Sequence, residues 1–465
     1  MAPDTAQLAQ DTVFAAATAP GRGAIAVIRV SGAEAVAGLQ ALTGAGDTAP
    51  PPPRRAVLWR LTDPVSRETL DDALVLYFQA PHSFTGEDVV EYHLHGGRAV
   101  VEGMLEALRH MPGHRPAEPG EFTRRAFENG KTDLTAAEAI NDLIAAETEA
   151  QRTQALNQMH GSLARLYEGW AARLTRALAL VEAEIDFPEE EDIPERLARS
   201  VYPELETIRQ EIAAHLQDNR RGERLREGLQ VAVIGAPNAG KSTLVNTLAQ
   251  RDVAIVADVP GTTRDVLEVH LDLGGMPVIL IDTAGLRPET LIAGDAQGAI
   301  ESEGIRRARE RATQADLRLL VFDGTTETPD PGTLECARGP GIMIVNKCDS
   351  APPQAAEKLS NSLRDPVFLS ASQGHGVDAL LEKLDAALRD ILGDSTRPSP
   401  TRERHRAALG SALDQIHEAV NKPGQELEMM AENLRLAVRF IGRITGRVDV
   451  EDLLDIVFRE FCLGK

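Results

Sequence analysis

The chain has 465 residues, which is enough for about three domains. Its 71 acidic and 49 basic residues give a net charge of −22, which disfavours a generally basic surface for nucleic acid. Any RNA contact therefore needs a local basic patch or a partner. Three cysteines do not suggest a disulfide framework, no apolar run approaches the ~20 residues of a membrane span, and the N-terminus resembles neither a secretory signal nor a transit peptide. These features predict a cytoplasmic protein with no membrane segment.

The N-terminal segment alternates apolar runs with glycine turns. Strands are predicted at Ala24–Val30, Ala73–Phe78 and Val89–Leu94, and a helix at Arg98–Met111. Together they predict an α+β unit of roughly 120 residues.

Arg29 and Glu91 lie in or beside these apolar runs. One interpretation is the ordinary alternation of a half-covered sheet. The other is a small anionic ligand held by Arg29 and Lys131, with Glu91 as an acceptor. Spacing alone does not decide between them.

From Leu134 the apolar spacing becomes helical. Apolar residues every three or four positions from Leu163 to Ile185 predict a long amphipathic helix, and another helix is predicted at about Tyr202–Arg220. These helices are interpreted as the core of a bundle.

The stretch Gly235–Thr243 has the phosphate-loop pattern of a glycine, four residues and then Gly240-Lys241-Ser242. A predicted buried strand, Leu229–Ile234, precedes it and a helical pattern follows, which is the context that the motif requires. The backbone N–H groups and the positive helix end would hold phosphates. Lys241 would reach the β- and γ-phosphates, and the Ser242 hydroxyl would bind Mg²⁺.

Four further motifs follow in the order found in GTPases. In Gly261-Thr262-Thr263, Thr263 is placed to complete the Mg²⁺ shell. In Asp282-Thr283-Ala284-Gly285, Asp282 would hold Mg²⁺ through water and the Gly285 N–H would contact the γ-phosphate.

Guanine specificity is predicted from the last two motifs. The Asp349 carboxylate of Asn346-Lys347-Cys348-Asp349 would accept from two guanine donors that adenine lacks in that arrangement. Ser370-Ala371-Ser372 would supply backbone donors to the guanine oxygen. The predicted GTP contacts are Asn238, Ala239, Gly240, Lys241, Ser242, Thr243, Ala257, Asp258, Val259, Pro260, Gly261, Thr262, Thr263, Asp282, Thr283, Ala284, Gly285, Asn346, Lys347, Asp349, Ser370, Ala371 and Ser372.

Two details differ from Ras-type enzymes. Leu286 stands where those enzymes place the glutamine that orients water, so a different residue must do this. The segment Ala257–Pro260 and the Asn238 side chain are suited to hold a monovalent cation, which would neutralise charge on the transferring phosphate. The alternative is that Asn238 only hydrogen-bonds within its loop.

After a linker at Pro398–Thr401, helices are predicted at Arg402–Val420, Glu426–Gly442 and Val450–Phe461. Arginines recur at four-residue spacing on one predicted helix face: Arg435, Arg439, Arg443 and Arg447. They either pair with acidic helices of the same bundle or contact the phosphates of an RNA.

The chain ends in Phe461-Cys462-Leu463-Gly464-Lys465, and its GTPase motifs lie between helical segments. With Gly21-Arg22-Gly23, Ser83–Asp88, His95-Gly96-Gly97 and Pro119–Phe122, it resembles the MnmE (TrmE) family of tRNA-modification GTPases over its whole length. The resemblance implies a multidomain α/β fold: an N-terminal α+β folate-binding-like domain (1–130), a discontinuous helical domain (131–226 and 394–465) and an inserted Ras-like P-loop GTPase domain with a mixed, mostly parallel sheet (227–393).

The resemblance also implies residue roles. The tetrahydrofolate donor, 5-formyl or methylene, would contact Arg29, Glu91, Lys131 and Lys465. K⁺ would be held by Asn238 and Thr262 with the carbonyls of Ala257 and Val259. Glu301, chosen over Glu303, would orient the water. Cys462 lies next to the terminal Gly464-Lys465, and the resemblance places it near the folate site. There it is either a small buried hydrophobe or a nucleophile.

The implied partners are a second copy of the chain and an FAD-dependent protein of the MnmG (GidA) type, in a heterotetramer or larger assembly, together with tRNA. The implied function is a K⁺-activated GTPase that acts in carboxymethylaminomethyl or aminomethyl modification at C5 of the wobble uridine, position 34. The rival interpretations are a ribosome-assembly GTPase, which normally carries a basic RNA-binding domain, and a regulatory nucleotide switch without modification chemistry.

Overall fold

The computed structural model describes residues 11–44, 50–186, 197–251, 253–255, 268–282, 315–393, 397–421, 426–448, 451–459, 461 and 464. Two compact units are present. The first contains Met1–Asn141, Ala164–Glu168 and Ile441–Lys465, and the second contains Asp142–Leu163 and Gly169–Phe440. Among the described residues, no helix has both the length and the apolar character needed to cross a membrane.

The described strands are β1 Thr12–Ala16, β2 Ile25–Ser31, β3 Val57–Thr62, β4 Thr69–Phe78, β5 Val89–His95, β6 His114–Pro116, β7 Leu229–Gly235, β8 Glu268–Leu273, β9 Met276–Asp282, β10 Leu317–Asp323, β11 Gly341–Asn346 and β12 Val367–Phe368. The described helices are α1 Ala35–Thr43, α2 Arg98–Arg109, α3 Glu121–Glu128, α4 Leu134–Ala145, α5 Glu149–Met159, α6 Ser162–Asp186, α7 Leu197–Ser200, α8 Tyr202–Leu216, α9 Arg221–Glu227, α10 Lys241–Ala249, α11 Pro331–Glu335, α12 Pro353–Asn361, α13 Val377–Leu392, α14 Glu403–Asn421, α15 Leu427–Thr445 and α16 Glu451–Arg459.

The first unit contains a six-stranded sheet in the order β3-β4-β5-β2-β1-β6. All neighbours are antiparallel except β1 and β6. Alternate residues such as Ile28, Val30 and Tyr92 are buried with helices α1 and α2 on one face. The opposite face therefore carries the intervening residues, which include Arg29 and Glu91.

The three strands predicted in this unit are confirmed, but three others escaped prediction. β1 has five residues and β6 has three, which is too short for a clear period. β3 is an edge strand whose exposed residue Leu58 is apolar, which breaks the apolar–polar alternation expected of a half-buried strand.

The sheet of the second unit has the order β12-β11-β10-β7-β9-β8. Every neighbouring pair is parallel except β8 and β9. β7 and β10 are apolar on both faces because separate hydrophobic clusters cover the two sides of the sheet. The predicted mixed, mostly parallel sheet is confirmed, and the loops that follow β7, β10 and β11 lie at its carboxyl edge.

Helix α6 confirms the predicted long helix. The helix predicted to continue to Arg220 instead ends at Leu216, because Asn219 and Arg220 have φ angles of 56° and 55° that interrupt helical geometry. Helices α8 and α14 pack against each other, so segments on either side of the nucleotide-binding sheet form one helical layer.

The prediction that Arg447 shares a helix face with the other three arginines of the stripe is wrong. Helix α15 ends at Thr445, and Gly446 has a φ of 86°, so Arg447 lies beyond the helix. Arg435 pairs with Glu182 and Glu432, and Arg447 pairs with Glu168. For these two arginines the structure favours the interpretation of pairing with acidic helices.

Candidate nucleotide site and N-terminal polar site

The phosphate loop joins the end of β7 to the start of α10. Asn238 and Gly240 have φ angles of 66° and 93°, so the backbone turns through left-handed geometry twice. A Cβ on Gly240 would lie 2.2 Å from Asn346 Nδ2, which excludes a side chain at that position. The loop therefore directs its backbone toward the N-terminus of α10, the geometry that binds phosphate.

Lys241 is the first residue of α10 and is buried. Its ammonium donates hydrogen bonds to the carbonyl oxygens of Gly235 at 2.8 Å and Ala236 at 2.9 Å. These bonds fix the charged group beside the loop, because a buried ammonium needs acceptors.

Asn346 connects the phosphate loop to the Ser370–Ser372 loop. Its Nδ2 donates to the Ala239 carbonyl at 2.9 Å, and its Oδ1 accepts from the Ala371 N–H at 3.0 Å. The side chain is 2% exposed. Thr247 adds a second link, because its hydroxyl contacts the carbonyl of Ala371 at 2.8 Å. Two loops far apart in the sequence thus meet at one buried amide.

The predicted guanine acceptor, Asp349, is exposed. Hydrogen bonds from Ser370 and Ser350 lower the pKa of its carboxyl group, which keeps it charged at neutral pH. The Ser370 hydroxyl also lies 3.2 Å from that of Ser372. The acceptor and the Ser370–Ser372 loop are therefore adjacent.

The structure brings together three predicted groups: the phosphate loop through Thr243, the Asn346–Asp349 stretch and the Ser370–Ser372 loop. The other predicted positions lie outside the described residues: Ala257, Asp258, Val259, Pro260, Gly261, Thr262, Thr263, Thr283, Ala284, Gly285, Glu301, Cys462 and Lys465. Asp282 ends β9, with its backbone alone described.

Asp323, which ends β10 opposite Asn346 in the strand register, was not among the site residues predicted from the sequence. Its carboxylate contacts the Lys347 ammonium at 2.6 Å. An aspartate at the end of a buried strand could have indicated this residue. The carboxyl ends of neighbouring parallel strands share one edge of the sheet, where the other predicted loops lie.

In the N-terminal sheet, Arg29 and Glu91 are directly opposed on β2 and β5. The Arg29 guanidinium contacts the Glu91 carboxylate at 2.9 and 3.0 Å, and each side chain is 17% exposed. The Phe84 and Phe122 rings lie 5.7 and 5.6 Å from the guanidinium carbon. Both phenylalanines were missed, although Phe84 and Phe122 lie in quoted glycine-containing motifs.

The loop Ser83–Asp88 adjoins Arg29 through Phe84 and Lys131 through Gly86. A Cβ on Gly86 would lie 3.2 Å from the Lys131 Cε. The loop is anchored by Glu87, which accepts from Ser31 at 2.7 Å and from Arg125 at 3.1 Å. Arg29 and Lys131 thus both adjoin one short loop, and Glu91 pairs with Arg29.

Gly464 lies near the same strands. Gly464 has a φ of 89°, and a Cβ there would lie 2.2 Å from the Ala16 carbonyl oxygen. Ala16 ends β1, which pairs with the strand that carries Arg29.

Comparisons with known proteins match this architecture. Residues 12–131 match the family described as GTP-binding protein TrmE N-terminus, and residues 134–462 match the family described as MnmE helical domain.

Three bacterial relatives, each called tRNA modification GTPase MnmE, match nearly the whole chain. The protein of Parvibaculum lavamentivorans is 53% identical over 459 residues, covering 98% of this chain and 100% of the relative. Those of Paramagnetospirillum magneticum and Rhodospirillum rubrum are 52% and 49% identical, each over 98% of this chain and over 100% and 99% of the relative. The chain therefore belongs to the MnmE family of tRNA modification GTPases and is a GTP hydrolase.

Proposed function

We propose that this GTPase binds GTP between the phosphate loop and Asp349, is activated by K⁺, and couples hydrolysis to modification of the wobble uridine of certain tRNAs. The observation that supports the nucleotide site best is the buried Asn346 amide, which joins Ala239 of the phosphate loop to Ala371 of the base loop. One side chain thereby sets the spacing between the phosphate and base ends of the nucleotide.

The donors present fit the proposed ions. Ser242 lies in the first turn of α10, directly after Lys241, and is suited to Mg²⁺ together with Thr263 and Asp282. Asn238 lies in the phosphate loop and is suited to K⁺, together with Thr262 and the carbonyls of Ala257 and Val259. When bound, the two cations neutralise negative charge on the phosphates. Lys241 contributes a third cationic group, and Glu301 orients the attacking water.

The N-terminal site is proposed to bind the tetrahydrofolate one-carbon donor. Arg29 supplies a fixed cation, Glu91 supplies acceptor oxygens, and the partly exposed Phe84 supplies an aromatic face. Lys131 and Lys465 complete the set of charges suited to an anionic, planar ligand. Cys462 is the remaining candidate for a chemical role.

We further propose a homodimer in the cytoplasm that acts with an FAD-dependent partner of the MnmG type, the FAD being carried by that partner. The product is a carboxymethylaminomethyl or aminomethyl group at C5 of the uridine. Membership in the MnmE family favours this proposal over a ribosome-assembly GTPase or a regulatory switch.

The first test is GTP turnover by the purified protein in K⁺ and in Na⁺, with particle size measured in both salts and with a transition-state mimic. Faster turnover in K⁺, with association of the nucleotide-binding regions only in K⁺, is expected. Equal rates in the two salts would remove K⁺ from the mechanism.

Two substitutions test the proposed roles separately. Glu301→Ala is expected to abolish hydrolysis with near-normal GTP affinity, and an active variant would move the role to Glu303 or elsewhere. Asp349→Asn is expected to shift preference from guanine to xanthine nucleotides, because the amide donates where the carboxylate accepts.

A further inference from the structure

The ion pair between Asp323 and Lys347 lies at the edge of the proposed base site. The two oxygens of the Asp323 carboxylate have different partners. Oδ1 accepts from the Thr325 N–H at 3.0 Å and from its hydroxyl at 2.7 Å, whereas Oδ2 accepts from the Lys347 ammonium at 2.6 Å. The turn after β10 therefore fixes the carboxylate, and the carboxylate fixes the lysine.

The backbone around this pair is constrained as well. Lys347 has a φ of 64°, a left-handed conformation that few lysines adopt. Gly324 donates its N–H to the Asn346 carbonyl at 2.8 Å, and a Cβ on Gly324 would lie 2.7 Å from that oxygen. The turn at Asp323 is thus packed directly against the backbone that presents Lys347.

Lys347 stands between two residues of the nucleotide site. Asn346 before it bonds to the phosphate loop, and Asp349 after it is the proposed guanine acceptor. A lysine has a flexible four-carbon stem that packs along apolar or aromatic surface while its ammonium remains with a polar partner. Its ammonium is anchored here by Asp323, so the stem is ordered before a base packs against it.

We propose that Asp323 is a positioning residue for guanine binding, which acts by holding the Lys347 stem at the base end of the nucleotide. The inference rests on the proposed placement of guanine at Asp349. It extends the base site to a residue of β10, outside the motifs that identified the GTPase. Because a held stem loses less freedom on binding, removal of the anchor weakens binding at the base end.

The test measures dissociation constants and dissociation rates of fluorescent GDP and GTP for the full chain. Asp323→Ala is expected to raise the dissociation constants of both nucleotides about fivefold. The kcat at saturating GTP is expected to be unchanged, since the phosphate end of the nucleotide keeps its contacts. The matched control is Glu327→Ala, which breaks the Lys358–Glu327 pair at 2.7 Å, after the same turn. This control is expected to bind like the parent chain.

A double-mutant cycle with Lys347→Met separates positioning from a general structural effect. If Asp323 acts through Lys347, Asp323→Ala adds no further loss of affinity in the Lys347→Met background. Additive losses, or parent-like affinity in Asp323→Ala, overturn the proposal.

Asp323→Asn covers the case in which the alanine variant does not fold, because the amide oxygen still accepts from Thr325. Its affinity is expected between those of the parent and Asp323→Ala, and affinity equal to the parent's counts against the proposal. Asp349→Asn tests the proposed placement of guanine at Asp349, on which this inference rests. Unchanged guanine preference there means that the base site is misplaced, whereas a shifted preference with a parent-like Asp323→Ala means that only the role of Asp323 is wrong.

Discussion

In the N-terminal sheet, Arg29 and Glu91 stand in the middle of adjacent antiparallel strands, on the face opposite the hydrophobic core. In the nucleotide-binding sheet, the polar residues lie at or just after the last residues of parallel strands whose two faces are both buried. The first arrangement places charged groups at fixed cross-strand spacing. The second gathers loops from distant parts of the chain at one edge.

This difference determines how each site tolerates change. A mid-strand pair is supported by the ladder on both sides, so loss of one side chain leaves the backbone paired. A site made of loops depends on side chains that bond one loop to another. The Asn346 amide has that role, and nothing comparable is required between Arg29 and Glu91.

The largest expected loss of stability comes from removing the Asn346 amide that joins the two loops. Asn346→Ala leaves the Ala239 carbonyl and the Ala371 N–H without their buried partner, and the free energy of unfolding is expected to fall by about 4 kcal/mol. Denaturant unfolding measures this. Asn361→Ala, at an exposed helix end, is the control and is expected to change little. A loss below about 1 kcal/mol at Asn346 would show that the two loops hold their places independently.

A second change tests the phosphate loop itself. Gly240→Ala places a methyl group 2.2 Å from Asn346 Nδ2 at a φ of 93°, and a loss of about 3 kcal/mol together with loss of GTP binding is expected. Gly374→Ala is matched for left-handed backbone, with a φ of 73° and no atom within 4 Å of the added Cβ. It is expected to cost about 1 kcal/mol. Equal effects of the two substitutions would mean that backbone conformation alone matters.

A third measurement uses a region outside both sheets as a reference. Burial lowers the pKa of His215 on α8 from 6.5 to about 4, and its ring contacts Trp170 edge-on at 5.4 Å. The unfolded chain binds a proton on His215 more tightly than the folded chain does. The contribution of neutral His215 to the free energy of unfolding is therefore complete above pH 6.5 and is lost as the pH falls toward 4. The expected loss is about 2 kcal/mol between pH 7 and pH 5.

The control for this pH dependence is His215→Gln, which is expected to remove the His215 contribution. Unfolding followed at both pH values compares the two proteins directly. If the variant shows the same slope as the parent, other groups carry the pH dependence.

The smallest expected effect belongs to the mid-strand pair. Glu91→Gln is expected to cost about 1 kcal/mol, since the pair is partly exposed, and to weaken the proposed folate binding without changing GTP turnover. Asp72→Asn breaks the exposed cross-strand pair of Arg60 and Asp72 in the same sheet and serves as the control. A change in GTP turnover in Glu91→Gln would break the comparison, because the two sites would then depend on each other.

The two sheets also differ in what their sequences reveal. Strand, glycine loop and helix at Gly235–Thr243 were predictable because sterics and phosphate geometry fix the residue types. The choice for Arg29 and Glu91 could not be made from alternation, since a ligand site and a solvated face give the same pattern. Their direct pairing and the flanking phenylalanines emerge only from strand register and loop placement.

Other features of the fold depend on local backbone geometry, which the periodicity of apolar residues in the sequence does not reveal. The end of α8 before Asn219 and the departure of Arg447 from α15 both follow from left-handed residues. The bond from Lys347 to Asp323 joins two strand ends 24 residues apart, and only the parallel register of β10 and β11 brings them together.

The segments that enter and leave the nucleotide-binding sheet touch each other. Arg221 contacts Ser399, 178 residues later, and a Cβ on Gly222 would lie 2.3 Å from the Pro400 carbonyl oxygen. For a flexible chain of that length, closing such a loop would cost about 5 kcal/mol in entropy. A folded sheet whose two ends already meet removes most of that cost. More than a third of the chain is therefore inserted into the helical layer through two ends that lie in contact, as the ends of a short surface loop do. This junction is the natural place to excise or transplant the nucleotide-binding sheet.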